Sequence, residues 1–137
     1  MHSITYMMYY HIVNNELKMI SDFNCVNVVQ KIIEYLETGK ISQALHSEGQ
    51  EVILLENIFG SKFSSPVKIT DIRTIDIAEG EIGIMYIYKK GFEYGHVFNV
   101  IKKNRRLMLI NGQKGIMQTF EKAEFIEYLK INRYVNR

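Results

Sequence analysis

The stretch from Gly95 to Gly115 restricts the fold more than any other part of the chain. It reads GHVFNVIKKNRRLMLINGQKG, two apolar runs separated by charged and amide residues, which is the pattern of a β-hairpin. The tight turn falls either at Lys103-Asn104 or one residue further on. In the first register His96 faces Asn111, and in the second it faces Gln113. In either register, a side-chain amide lies opposite a histidine at the start of a strand.

The remaining sequence predicts helices first and strands afterwards. Apolar residues at three- and four-residue intervals predict a helix from Asn24 or Cys25 to Thr38-Gly39, and shorter helices are predicted over 41–46 and 50–59. The N-terminal segment over 6–10 fits either a strand or a helix. After Pro66, the alternation in EIGIMYIY predicts a strand.

A last helix is predicted near the C-terminus, where Thr119 would cap an apolar stripe of Ala123, Ile126 and Leu129. Helices followed by an antiparallel sheet make up the α+β class. We therefore expect one α+β domain over residues 1–137.

Composition excludes several classes of function. With 137 residues, 47% of them hydrophobic, the chain is long enough for one domain with a substantial core. Its 17 basic and 15 acidic residues give a net charge of only +2, which argues against a nucleic-acid partner. No apolar run is long enough to span a membrane, and we expect no signal peptide at the start. The sequence has no metal-ligand cluster, phosphate loop or dinucleotide fingerprint, so no cofactor is expected.

The single cysteine stands where a helix is predicted to begin. The unpaired N–H groups and the dipole of a helix N-terminus lower the pKa of a thiol and can hold an oxyanion. Of the histidines at positions 2, 11, 46 and 96, only His96 stands at the mouth of a strong strand. We therefore expect Cys25 as a nucleophile, with its sulfur within about 4 Å of a ring nitrogen of His96 as the base. Asn111 or Gln113 would orient the imidazole. Alternatively, Cys25 is only the first residue of an apolar helix stripe.

Three segments together resemble the papain-fold toxin domains of bacterial polymorphic toxin systems. They are FNC at 23–25, GHVFNV at 95–100 and LINGQKG at 109–115. The resemblance covers 22–115 and implies a papain-like fold in which N-terminal helices pack on an antiparallel sheet.

The resemblance also assigns roles to single residues. Cys25 corresponds to the nucleophile, His96 to the base and Asn111 to the orienting residue. Asn111 departs from the aspartate that is usual in the family, while Gln113 matches the glutamine of its Asp-x-Gln motif. Asn24 is the nearest amide for an oxyanion hole.

The function implied is that of a bacterial toxin or effector that hydrolyses amides through a Cys-His-Asn triad, chiefly by deamidating a glutamine of a target-cell protein. The resemblance further implies delivery by a secretion system into the cytoplasm of the target cell and a cognate immunity protein as partner. Three alternatives stay open: a papain-like cysteine protease effector, a cell-wall peptide amidase, and a catalytically silent binding domain of the same fold. The asparagine at position 111 is the feature that favours the last of these.

Overall fold

The computed structural model describes residues 4–8, 25–40, 52–89, 95–111 and 122–135, and for 4–8, 25, 26 and 111 it describes only the backbone. These residues combine helices with a mostly antiparallel sheet, so the predicted α+β class is confirmed. The helices are α1 (Cys25–Thr38) and α2 (Leu54–Phe59), with a 3-10 helix at Ile69–Thr74. The strands are β1 (Ile4–Met8), β2 (Val67–Lys68), β3 (Glu81–Tyr88), β4 (His96–Lys103), β5 (Arg106–Asn111) and β6 (Phe125–Tyr134).

The six strands form one sheet in the order β1-β5-β4-β3-β6-β2. β1 pairs in parallel with β5, and every other neighbouring pair is antiparallel. The N-terminal segment that fitted either structure is therefore a strand from Ile4 to Met8. None of the helices in the described ranges is long and apolar enough to cross a membrane.

Helix α1 forms where the sequence predicts it. It begins at Cys25 and ends at Thr38, and Gly39 adopts the left-handed φ of 76° that a helix C-terminus favours. Its apolar stripe is buried against the sheet and consists of Val28, Val29, Ile32, Ile33 and Leu36. Of the two shorter predicted helices, the one over 50–59 is present as Leu54–Phe59, and the one over 41–46 lies outside the described residues.

The predicted hairpin is formed by β4 and β5, and its turn lies at Asn104-Arg105. Both turn residues have positive φ, 54° and 63°, as a type I′ turn requires. The carboxylate of Glu79 accepts hydrogen bonds from the two turn N–H groups, at 2.6 and 3.2 Å. Lys103 pairs with Arg106, so the register built on a turn at Lys103-Asn104 is wrong and the alternative register holds.

The predicted C-terminal helix is wrong, because residues 125–134 form strand β6. Ile126 and Tyr128 are buried on one face of the sheet, whereas Leu129 and Ile131 are buried on the other. β6 pairs with β3 on one side and with β2 on the other, and this long-range pairing outweighs the three-residue spacing that suggested a helix. The proposed cap, Thr119, lies outside the described residues.

The sheet separates two apolar cores. The helix-side core joins α1 to one face of the sheet, where it includes Ile82, Ile84, Val97 and Ile101. The far-side core covers the other face with the 3-10 helix and the residues after it, and its members include Ile72, Ile77, Met85, Phe98 and Tyr128. Because side chains alternate along a strand, each apolar residue of β4 belongs to one core or the other.

Candidate functional site

The start of α1 and the start of β4 lie at the same end of the sheet. Asn99, midway along β4, donates a hydrogen bond to the carbonyl of Val29 in the first half of α1. At the other end of the helix, Glu37 is paired with Arg133 on β6, at 3.0 Å. Arg133 pairs with Ile82 of β3, which pairs with Ile101 of β4. α1 therefore runs in the same direction as β4, and Cys25 opens the helix at the end where His96 opens the strand.

The ring of His96, however, lies on the face of the sheet that α1 does not cover. Val97 and Ile101 pack in the helix-side core, so the even-numbered residues of β4 face the far side. Consistent with this, the His96 ring stacks on that of Phe98, with centroids 6.3 Å apart and planes 19° apart. The structure therefore does not bring His96 onto the face against which α1 packs. The predicted contact between Cys25 and His96 remains a prediction, and this placement does not favour it.

The surroundings of His96 also differ from those of a typical catalytic base. Burial lowers its pKa to about 4, so the imidazole is neutral at pH 7. A thiolate–imidazolium pair needs the opposite shift, toward a higher pKa of the histidine. The ring that stacks on it, that of Phe98, carries no carboxylate or other oxygen that could accept a hydrogen bond from the imidazolium.

The remaining predicted site residues are placed only in part. Asn111 is the last residue of β5, and its backbone pairs with Met8 of β1. The observed hairpin register is the one for which Gln113, and not Asn111, was predicted to face His96. Gln113 and Asn24 lie outside the described residues.

Asn99 is a buried polar residue that the sequence analysis did not single out. Its side chain is fully buried at the contact between β4 and α1. Nδ2 donates to the carbonyl of Val29 at 3.2 Å, while Oδ1 is buried and finds no hydrogen-bond partner among the residues that the structure describes. The signal was available in the sequence, since Asn99 is the single polar residue within the apolar run VFNVI.

A groove of about 530 Å³ lies between α1, α2 and the end of β6. Ile33, Ile58 and Phe59 contribute apolar surface to it, and the Glu37–Arg133 ion pair contributes charge. The guanidinium of Arg133 also lies over the ring of Phe59, 5.9 Å from its centroid. The groove therefore offers apolar contacts beside a fixed pair of opposite charges.

The described ranges hold no group of three or more His, Cys, Asp or Glu side chains that could bind a metal ion. Comparison with protein-family models, with curated proteins and with solved structures found no match for this chain.

Proposed function

We propose that the chain is a binding domain that holds a segment of another protein in the groove between α1 and α2. The observation that carries the proposal is the exposure of large apolar side chains on α2 and the residue before it: Ile53 is 56% exposed, Leu54 40% and Ile58 52%. Leu54 and Ile58 are four residues apart and so share one side of the helix. Adjacent exposed apolar side chains beside a groove are typical of interaction sites.

The contacts in the groove indicate what a partner segment would need. Ile58 and Phe59 present apolar surface for an aliphatic or aromatic anchor. Glu37 and Arg133 already neutralise each other, so the anchor gains little from a charge of its own. This proposal corresponds to the catalytically silent binding domain, one of the three alternatives left open by the sequence. It is compatible with a papain-like arrangement in which α1 packs on the sheet.

Affinity capture from cells with matched variants tests this proposal. We expect Ile58→Asp to reduce the amount of each specifically captured protein about tenfold or more, because it places a charge against the apolar anchor. Asn57→Asp, which introduces the same side chain and the same change in charge at an exposed residue of α2 outside the groove lining, is the control and should capture as the wild type does. If both variants capture the same proteins in the same amounts, the groove is not the binding site.

A second candidate is the cysteine-dependent amide hydrolase, favoured by the position of Cys25 as the first residue of a 14-residue helix. In this proposal the thiolate attacks the amide carbon of a glutamine, ammonia leaves, and water releases the acid from the thioester. The toxin role, the secretion-system delivery, the target-cell substrate and the immunity protein belong to this candidate. It requires a base within reach of Cys25, whereas the ring of His96 faces the side of the sheet that α1 does not cover.

Mass spectrometry of cells that express the wild type or Cys25→Ala separates the two candidates. A hydrolase of this kind adds about 1 Da to a target glutamine, and only in the wild type. New protein termini that are absent with Cys25→Ala would instead indicate a protease. Identical proteomes from the two strains favour the binding domain, provided that the capture experiment also succeeds.

A further inference from the structure

Four aromatic rings follow one another on the helix side of the sheet, along β3, β6 and the segment before β2. We call Phe63, Tyr86, Tyr88 and Phe125 the aromatic row. Tyr86 and Tyr88 are stacked with centroids 5.0 Å apart, and Tyr88 stacks on Phe125 at 5.8 Å. Phe63 meets Tyr86 edge to face at 6.2 Å. All four side chains are half-buried, so each ring keeps part of its surface in contact with solvent.

The row is held in place by its neighbours on the sheet. Tyr88 pairs with Phe125 across β3 and β6, which sets their rings side by side. Gly95 lies beneath the ring of Tyr86, and any side chain at position 95 would collide with that ring. The rings are thus ordered before any ligand binds, which reduces the entropy cost of binding.

A carboxylate lies at the edge of the row. Glu127 pairs with Tyr86 across the strands, and the hydroxyl of Tyr88 donates a hydrogen bond to Glu127 Oε2 at 2.6 Å. Burial and this carboxylate raise the pKa of Tyr88, so the hydroxyl remains a donor at neutral pH. No lysine or arginine among the described residues forms an ion pair with Glu127. Glu127 is therefore a half-buried carboxylate at the hydroxyl end of Tyr88, without a cation from the described part of the chain.

We propose that the aromatic row and Glu127 bind an organic cation, namely an ammonium or guanidinium group. The faces of aromatic rings attract cations through their quadrupole, and the attraction increases where water is partly excluded. A carboxylate at the edge of the row selects for positive charge and disfavours the phosphates of a nucleic acid. The same chemistry is presented by a lysine or arginine side chain of a protein and by a free quaternary ammonium compound. The site does not depend on the groove between α1 and α2.

NMR titration of the whole isotope-labelled chain tests the proposal. The probes are choline, acetyl-lysine amide and acetyl-arginine amide, and the control probe is 3,3-dimethylbutanol, the neutral isostere of choline. We expect saturable shifts at Tyr86, Tyr88 and Phe125 with a Kd on the order of 1 mM, and at least tenfold weaker binding of the neutral isostere. The relative affinities of choline and the two amino-acid amides indicate which source of cation the site prefers.

Variants of the carboxylate make the result specific to this site. Glu127→Gln should weaken binding about five- to tenfold, whereas Glu124→Gln, which removes the same charge at an exposed position just before β6, should leave it unchanged. Tyr88→Leu removes the ring and should abolish binding. Tyr88→Phe keeps the ring and should still bind. If Tyr88→Leu does not fold, Tyr88→Phe together with Glu127→Gln tests the site instead. The proposal is overturned if no probe gives saturable shifts at about 50 mM, if the neutral isostere binds equally well, or if Glu127→Gln binds as the wild type does.

Discussion

The two faces of the sheet bury their polar groups in different ways. On the far side, Glu81 is fully buried and uses both carboxylate oxygens. It accepts hydrogen bonds from the hydroxyl of Tyr128 at 2.6 Å, from the N–H of Ala78 at 3.0 Å and from Lys130 at 3.1 Å. On the helix side, Asn99 is equally buried, but within the described part of the chain it makes one hydrogen bond, and its Oδ1 makes none.

The difference shows under which conditions each face of the sheet can bury a polar or charged group. Burial alone would raise the pKa of Glu81, but the bonds from Tyr128, Ala78 and Lys130 together lower it below its ordinary value. The network also depends on Gly83, because a side chain there would collide with Tyr128. A buried charge is thus stable where both carboxylate oxygens find donors, whereas the amide of Asn99, with one hydrogen bond among the described residues, contributes less to stability beside α1.

The largest effect should come from breaking the network on the far side. We expect Glu81→Ala to lower the free energy of unfolding by about 3 kcal/mol, because it leaves the hydroxyl of Tyr128 buried without an acceptor. Chemical denaturation measures the loss. Glu124→Ala, at an exposed carboxylate, is the control and should change stability by less than about 0.5 kcal/mol. A loss below about 1 kcal/mol for Glu81→Ala would mean that the network is not needed for stability.

The pH dependence of stability should show the second effect. Because burial lowers the pKa of His96 to about 4, the unfolded chain binds more protons at this residue between about pH 6.5 and pH 4. We therefore expect stability to decrease as the pH falls through this range, with a slope of up to about 1.4 kcal/mol per pH unit. Glu81, with a lowered pKa, adds a further loss below about pH 4.5.

Two variants assign these slopes to their residues in denaturation curves collected across the pH range. His96→Phe keeps a ring on Phe98 and should flatten the slope above pH 4.5, while Glu81→Gln should flatten it below that value. The same measurement bears on the hydrolase candidate. If His96 formed an ion pair with a thiolate of Cys25, its pKa would be raised, and stability would instead be lost as the pH rises through that raised value.

Much of the fold could be predicted because its signals are local. The apolar spacing of α1 and the alternation of β3 each identify one element without knowledge of the rest. β6 could not be identified in this way, since Ala123, Ile126 and Leu129 fit a helical spacing as well as a strand that is buried on both faces. Only its pairing with β3, about 40 residues earlier in the chain, decides between the two.

The candidate site was predictable to the level of the backbone but not to the level of the side chains. The sequence places Cys25 at a helix start and His96 at a strand start, and the structure has both. The face on which His96 lies could not be inferred, because β4 is apolar on both sides and its alternation does not indicate which side α1 covers. The aromatic row could not be predicted for a similar reason, since Tyr88 and Phe125 come into contact only when β3 pairs with β6.

The smallest effect should be found at Asn99, and it should have the opposite sign to that of Glu81→Ala. Asn99→Leu replaces a half-satisfied amide by an apolar side chain of similar size, next to Val97 and Ile101 of the helix-side core. The carbonyl of Val29 loses one donor but, within a helix, keeps the N–H four residues on. We therefore expect the free energy of unfolding to stay unchanged or to rise by up to about 1 kcal/mol.

Chemical denaturation of Asn99→Leu beside Asn99→Ala checks this expectation. The alanine variant removes the same amide but leaves a cavity, so it should be less stable than the leucine variant by about 1 kcal/mol or more. A loss above about 1.5 kcal/mol in Asn99→Leu would contradict the comparison, because it would show that Oδ1 has a partner in solution. The two faces would then follow the same rule, with each buried polar group fully bonded.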